Sequence, residues 1–128
     1  MTSYKPDGYN DLSAYLVVDD AYGLLKFLET VFQAEQVHLY EHEGQIVHCE
    51  VKIGDTILKL ANANTHWPAI PTLLHLYVPD AQALYDAALV EGAVAVQPPA
   101  QREGEPDLRG VFTDPFGITW SISSQQEA

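Results

Sequence analysis

The hydrophobic positions of this chain follow the same order twice, sixty residues apart. Five residues of the first copy, Leu16, Val18, Asp20, Ala21 and Leu24, recur in the second as Leu76, Val78, Asp80, Ala81 and Leu84. A fixed internal period of this size indicates a repeated supersecondary unit. In each copy, apolar alternation predicts a strand, and the aspartate that follows it predicts the N-cap of a helix. The sequence therefore predicts two copies of a strand-then-helix unit, each followed by further strands.

The first copy has the pattern of one helix and four strands. We expect strands over 12–18, 37–40, 47–53 and 56–61, and a helix from Ala21 to about Gln33. The helix is predicted from an uninterrupted apolar stripe at helical spacing, and its end is poorly defined because no glycine follows it. Glu43-Gly44 predicts a hairpin turn.

The strand over 47–53 is predicted to be half buried. Val47, Cys49, Val51 and Ile53 alternate with polar residues, so they are expected to share one face. His48 and Glu50 are expected on the opposite face.

The segment over 62–71 is the best candidate for a linker between the two copies. It contains Asn, Thr, His, Trp and two prolines, which is typical of a loop. Trp67 within it can serve as a lid over a pocket or as a plug at the edge of the core, and the second interpretation is favoured. We thus expect one domain over 1–128, with module one at 12–61 and module two at 72–124.

The second copy repeats the order of elements. A strand over 73–78 precedes a helix that Asp80 caps and Gly92 ends in the left-handed conformation. A strand begins near Val94, and a proline-bearing loop is expected over 98–106. The tetrapeptide over 114–117, Asp-Pro-Phe-Gly, has the residue types of a tight turn and is interpreted as a hairpin without a catalytic role.

Composition narrows the class of protein. The 128 residues suit one domain, and the net charge of −12 disfavours nucleic acid and membrane surfaces as partners. No apolar run is long enough to span a bilayer, and the first residues lack the pattern of a secretory signal, so a cytoplasmic location is expected. The single cysteine, Cys49, cannot form an internal disulfide.

Taken together, these segments resemble the vicinal oxygen chelate superfamily, which groups glyoxalases, bleomycin resistance proteins and dioxygenases. The resemblance rests on the order of several short pieces: residues 15–21, Phe27, 31–34, 44–60, 76–80, 91–93 and 114–120. It implies an α+β fold in which two tandem βαβββ modules form mixed sheets that curve around a central cleft. It also implies a homodimer.

The resemblance further implies where a metal ion would bind. In the metal-using members, four side chains on the first and last strands of the two modules hold one divalent ion. Counting from the helix caps places these positions at Ser13, Lys59, Leu73 and Ser121. None of the four is a good ligand, since such ions normally take histidine or carboxylate. The chain therefore resembles the metal-free branch, and we expect no metal and no cofactor.

Strand alternation predicts the lining of the cleft. Side chains on the face opposite the helices combine aromatic, apolar and polar groups, which is the usual composition of a small-molecule pocket. The candidate ligand-binding residues are Tyr15, His48, Glu50, Lys59, Trp67, His75, Tyr77 and Ser121.

Several of these residues also have a structural interpretation. His75 can simply bond a neighbouring strand or tyrosine, and His48 with Glu50 can form a solvent-facing pair on an outer strand. Lys59 can pair with Glu50, or it can hold a carboxylate or phosphonate of a ligand.

Two classes of function follow. The first is a metal-independent small-molecule-binding protein that acts by sequestration or as an accessory protein. The alternative is an enzyme of the lyase, isomerase or dioxygenase type, with a non-standard site that uses His48, Glu50 or His75 for acid–base chemistry. A protein-interaction module is a third class, which the acidic surface allows but does not favour.

Overall fold

The computed structural model of the protein describes residues 3–126, and the chain divides into two compact units between Ala69 and Ile70. Over the described residues, each unit has one helix and one four-stranded mixed sheet in the order β-α-β-β-β. The predicted α+β fold of two tandem βαβββ modules is therefore confirmed. Neither sheet closes on itself, so each has two edge strands.

Unit 1 comprises the elements before residue 70. They are β1 Tyr15–Val18, α1 Ala21–Phe32, β2 Glu35–His42, β3 Gln45–Ile53 and β4 Thr56–Asn62. The strands lie in the order β1-β4-β3-β2, with β1 parallel to β4 and the other neighbours antiparallel. Helix α1 packs on β1, β3 and β4. The core between them is apolar, and it includes the fully buried Leu16, Leu24, Leu28, Cys49 and Leu60.

Helix α1 begins as predicted and ends in an unusual way. The Asp20 side chain accepts a hydrogen bond from the Gly23 backbone N–H at 2.9 Å, which caps the first turn. At the other end Gln33 adopts the left-handed conformation with φ 54°, and the backbone N–H of the next residue, Ala34, donates to the Leu28 carbonyl at 3.1 Å. Glycine normally occupies this position because a Cβ is strained there.

Replacing Gln33 by glycine should therefore stabilise unit 1. Relief of left-handed strain outweighs the entropy that glycine loses on folding, for a net gain of about 0.5 kcal/mol. Thr30→Gly, on an exposed position inside the same helix, should instead lower the stability. Urea denaturation of both variants measures the difference, and a loss of stability in Gln33→Gly would contradict the argument.

Strand β3 departs from the predicted alternation at Val47. The pairs that flank it are Tyr40 with His48 and Glu41 with Ile46, so Val47 has no counterpart on β2 and forms a β-bulge. An inserted residue moves the side chains beyond it to the other face. Val47 is accordingly 49% exposed while Ile46 is buried. The predicted apolar face is correct over 49–53 and wrong at Val47.

Unit 2 repeats the arrangement of unit 1. Its elements are β5 Thr72–Tyr77, α2 Ala81–Val90, β6 Val94–Gln101, β7 Asp107–Thr113 and β8 Ile118–Gln125. The strand order is β5-β8-β7-β6, and β5 runs parallel to β8. Asp80 caps α2 by accepting from the Ala83 N–H at 3.0 Å, and Gly92 follows the helix with φ 98°, as predicted.

Strand β6 extends through a segment that was expected to be a loop. It includes Pro98 and Pro99, and its register with β7 shifts between Gln97 and Ala100. Prolines are compatible with a strand at a sheet edge and at a bulge, where no ladder hydrogen bond is needed from them. The opposing residue is Gly110, on which a Cβ would lie 3.0 Å from Pro99 Cγ. The missing side chain thus allows the two strands to approach.

The helices of both units are short. Across the part of the chain that the structure describes, no helix is long and apolar enough to span a membrane.

Candidate functional site

A row of polar and aromatic side chains crosses the sheet of unit 1. In order across the strands it consists of Tyr15 on β1, Lys59 on β4, Glu50 on β3 and His38 on β2. The adjacent row contains Leu16, Leu60 and Cys49, which are fully buried on the side of α1. Because neighbouring residues of a strand point to opposite faces, the polar row lies on the face away from the helix.

Glu50 is the centre of a hydrogen-bonded group in this row. Its Oε2 lies 2.8 Å from His48 Nε2 and 3.6 Å from Lys59 Nζ. Its Oε1 accepts a hydrogen bond from the Tyr9 hydroxyl. The hydroxyl of Tyr15 lies 3.0 Å from the other ring nitrogen of His48, Nδ1. We call these five residues, Tyr9, Tyr15, His48, Glu50 and Lys59, the Glu50 cluster.

The structure tests two of the interpretations made from the sequence. Lys59 does pair with Glu50, as one of them stated. The view of His48 and Glu50 as a solvent-facing pair on an outer strand is wrong. Strand β3 lies inside the sheet, between β4 and β2, and Glu50 is only 8% exposed.

The surroundings of Glu50 keep it ionised. Burial alone would raise the pKa of its carboxyl, but the hydrogen bonds from Tyr9 and His48 and the charges of His48 and Lys59 outweigh burial and hold this pKa below its usual value. The hydrogen bond to Glu50, with burial and the carboxylate charge, raises the pKa of Tyr9. Burial and the same charge raise the pKa of Tyr15. At neutral pH the cluster thus contains one carboxylate and two protonated phenols.

These protonation states orient the His48 ring. An ionised carboxylate can only accept, so His48 Nε2 carries the proton that is donated to Glu50. When the ring is neutral, Nδ1 can accept from the Tyr15 hydroxyl. The result is a directed chain from Tyr15 through His48 to Glu50. Such a chain can hold a hydroxyl in a fixed orientation, and it can receive a proton on His48 with Glu50 stabilising the charge.

The sequence reasoning missed Tyr9. Tyr9 lies in the irregular N-terminal arm (residues 3–14), which precedes β1, yet it reaches Glu50 across 41 positions of the chain. The next residue fixes the arm in place: Asn10 Oδ1 accepts from the Ile57 N–H at 2.9 Å, and Asn10 Nδ2 donates to Ser13 Oγ at 2.9 Å. The periodicity of the sequence does not predict a contact of this kind, because the contact joins an irregular segment to a strand that is distant in the sequence.

Replacing Tyr9 by phenylalanine should raise the pKa of Glu50 toward its usual value. The change removes a hydrogen bond that favours the carboxylate and leaves the burial that disfavours it. An NMR titration of the labelled Glu50 side-chain carboxyl carbon measures this pKa. Tyr4→Phe is the matched control, since Tyr4 in the same arm donates to Asp11 instead. An unchanged Glu50 titration in Tyr9→Phe would refute the contact.

Three further predicted site residues lie in unit 2. His75 and Ser121 are direct neighbours in the parallel pair of β5 and β8. His75 Nε2 lies 3.1 Å from Ser123 Oγ, and its ring packs edge-on against Tyr77 with centroids 4.9 Å apart. The interpretation that His75 bonds a neighbouring strand or a tyrosine is confirmed. A ligand-binding role for these residues stays a prediction.

Trp67 lies in the loop after β4 and is 65% exposed, so its interpretation as a plug at the core edge is wrong. The loop is held by Asn64, whose Oδ1 accepts from the His66 and Trp67 N–H groups at 2.8 and 2.9 Å. Tryptophan is usually buried, but this turn leaves Trp67 exposed.

The turn over 114–117 has a structural role, in agreement with the sequence. Asp114 is 4% exposed, and its Oδ1 accepts from the Phe116 and Ile118 N–H groups at 2.8 and 3.0 Å. Its Oδ2 accepts from Trp120 Nε1 at 2.9 Å. The carboxylate is thereby committed to the turn and to the core tryptophan.

Comparison with known families adds to this geometry. The profile of the Glyoxalase/Bleomycin resistance protein/Dioxygenase superfamily matches residues 11–122. The chain belongs to this superfamily. The uncharacterised protein Mb0911c of Mycobacterium bovis is similar to it, with 29% identity over 123 residues, 87% of this chain and 80% of that protein.

Solved structures share the fold of this chain at low sequence identity. TioX from Micromonospora sp. ML1 is similar with a TM-score of 0.76 and 16% identity, covering 91% of this chain and 99% of that one. The fosfomycin resistance protein FosX from Mesorhizobium loti has a TM-score of 0.66 and 18% identity, covering 91% and 92%.

The residues at the four metal positions that the resemblance implies do not fit a divalent ion. Ser13 Oγ already accepts from Asn10, Lys59 places an ammonium beside Glu50, and Leu73 has no donor atom. The fourth position, Ser121, offers only a hydroxyl, which is a weak ligand. Within residues 3–126, no three His, Cys, Asp or Glu side chains are grouped so that they could hold a metal ion.

Proposed function

We propose that this protein is a metal-independent small-molecule-binding member of the superfamily, which acts by sequestration or as an accessory protein. The observation that carries the proposal is the Glu50 cluster, a connected polar group on a sheet face that also carries buried apolar side chains. Val17, Ile57 and Ala61 lie beside it and are buried. Apolar walls with a few fixed polar groups are typical of small-molecule sites.

The superfamily neighbours support a small-molecule ligand. FosX is named for resistance to fosfomycin, so this fold can serve a protein that acts on a small compound. The predicted cleft between the two modules stays a prediction, and so does the contribution of Trp67, His75, Tyr77 and Ser121 to it.

A thermal-shift screen against a diverse library of small molecules tests the proposal. A ligand at a hundredfold excess over its Kd should raise Tm by roughly 8 °C. Tyr15→Phe should reduce the shift because the hydroxyl held by His48 is lost. Tyr85→Phe is the matched control, since the Tyr85 hydroxyl is buried and has no hydrogen-bond partner among residues 3–126. A library in which no compound stabilises the protein would count against the proposal.

A second candidate is an enzyme of the lyase or isomerase type, and the chain from Tyr15 through His48 to Glu50 favours it. In such an enzyme His48 would take a proton from the ligand and Glu50 would stabilise the resulting imidazolium. Ligands from the screen can be incubated in D₂O with the wild type and with His48→Gln. Deuterium incorporation that depends on His48 would favour the enzyme, and unchanged ligands would favour the binding protein.

The proposal extends to a cytoplasmic homodimer that uses no cofactor and has no nucleic-acid or membrane partner. The net charge of −12 supports the exclusion of polyanionic partners, and the superfamily resemblance supports the dimer. Sedimentation over a range of protein concentrations tests the dimer, and a monomer at all concentrations would disprove it.

A further inference from the structure

The polar groups of the Glu50 cluster differ in how many of their hydrogen-bonding atoms already have a partner. Both Glu50 oxygens accept hydrogen bonds, and both ring nitrogens of His48 are engaged. The hydroxyls of Tyr9 and Tyr15 each have a partner in the cluster. Their remaining capacity to donate a hydrogen bond to a ligand is therefore small.

Lys59 is the exception. Over the described residues, its ammonium has a single polar contact, 3.6 Å from Glu50 Oε2, and its side chain is 33% exposed. An ammonium has three N–H donors and no acceptor, so Lys59 retains donors for an incoming group. That group must be an acceptor, and an anionic acceptor makes the stronger bond.

The surroundings of Lys59 determine what else the ligand needs. Strand β4 lies inside the sheet. Ile57 and Ala61, two residues before and after Lys59, point to the same face as Lys59 and are buried. Tyr15 is its direct neighbour on β1. A charged group on such a surface is less screened than one in open solvent. An apolar or aromatic body attached to the anionic group fits these neighbours.

The position of Lys59 suggests a role for its ammonium. The resemblance implies that Lys59 takes one of the four positions at which the metal-using members place a ligand, and the four side chains of this chain do not fit a metal. A metal ion in such a site attracts and orients oxygen atoms of the substrate. A fixed ammonium can supply part of that attraction without an ion.

We propose that Lys59 binds the carboxylate of a monoanionic small molecule with an apolar body, and that Glu50 positions the ammonium for this contact. The inference rests on the proposed function and names its ligand class. A monoanion is favoured over a dianion because the Glu50 carboxylate lies close to Lys59, and a second negative charge would add repulsion.

Matched pairs of an acid and its amide test the inference directly. Phenylacetate with phenylacetamide, and 1-naphthoate with 1-naphthamide, have similar shapes and differ in charge. Their Kd values can be measured by NMR titration of the ¹⁵N-labelled protein. We expect the acids to bind about tenfold more tightly than the amides. The protein's net charge of −12 repels anions, so this preference cannot come from the overall charge.

Three variants assign the preference to Lys59. Lys59→Gln should weaken binding of the acids about tenfold and leave the amides unchanged. Lys59→Arg should retain the preference because it retains the charge. Lys26→Gln is the control for net charge, since Lys26 is exposed on α1; it should bind both members of each pair as the wild type does.

The outcomes separate this inference from the proposed function. Equal binding of acids and amides by the wild type, or an acid preference that survives in Lys59→Gln, overturns the role of Lys59 while the binding protein stands. Failure of these probes and of the wider library overturns both. If Lys59→Gln does not fold, two measurements on the wild type test the inference. They are the preference for acids over amide ligands and the location of the backbone N–H groups whose NMR signals shift on binding. Shifts centred away from Tyr15 and Lys59 overturn the inference.

Discussion

Asp114→Ala should lower the free energy of unfolding of unit 2 by about 4 kcal/mol, since buried hydrogen bonds to a charged group are costly to leave unmade. The change removes the acceptor of three hydrogen bonds, from the Phe116 and Ile118 N–H groups and from Trp120 Nε1. These donors lie where water has little access, because Asp114 is almost completely buried. Denaturation monitored by tryptophan fluorescence measures the loss.

Two further variants isolate the cause. Asp114→Asn keeps one oxygen for the turn but presents an amide in place of a carboxylate oxygen, so we expect an intermediate loss of about 2 kcal/mol. Asp86→Ala removes an exposed carboxylate on α2 that accepts from Gln82, and its effect should stay within about 0.5 kcal/mol. Equal losses of stability in Asp86→Ala and Asp114→Ala would show that the hydrogen bonds of the turn contribute no more than an exposed carboxylate does.

Glu50→Gln should destabilise unit 1 by about 2 kcal/mol at neutral pH, because it leaves an ammonium without its counter-charge and turns an acceptor into a donor. The amide nitrogen must face either the Tyr9 hydroxyl or the pair of His48 and Lys59, all of which point donors toward Glu50. Chemical denaturation at pH 7 gives the difference from the wild type.

The same variant should reveal a dependence on pH. In the folded protein the pKa of Glu50 lies below its usual value of about 4.5. Ionisation of Glu50 therefore stabilises the fold above that usual value, and this contribution is lost as the pH falls through the lower, folded-state pKa. The stability difference between the wild type and Glu50→Gln should be constant above pH 5.5 or so and shrink toward pH 3. A difference that grows on acidification would contradict the direction of the shift.

The periodic parts of the fold could be predicted from the sequence, and the irregular parts could not. Alternation and the caps at Asp20 and Asp80 predict both modules because each signal is local and repeated. The bulge at Val47 was missed because one extra residue in a ladder leaves no signal of its own in one strand. The strand through Pro98 and Pro99 was missed because proline usually ends a strand, and its edge position is a property of the assembled sheet.

The candidate site was predicted in part for similar reasons. The shared face of Tyr15, Glu50 and Lys59 follows from strand period, and so does the neighbouring position of His75 and Ser121. The depth of Glu50 depends on the place of β3 within the sheet, which the order of strands in the sequence does not give. The contribution of Tyr9 depends on how the N-terminal arm returns to the sheet, and only the folded chain defines that path.

The prolines of β6 have a consequence for how this protein can aggregate. An open edge strand offers unpaired N–H groups on which the backbone of another molecule can add by hydrogen bonding. Pro98 and Pro99 follow one another on the outer strand of unit 2. Because successive N–H positions of a strand point to opposite sides, this pair of prolines removes a donor from the open edge. This border is consequently a poor template for the growth of an intermolecular sheet.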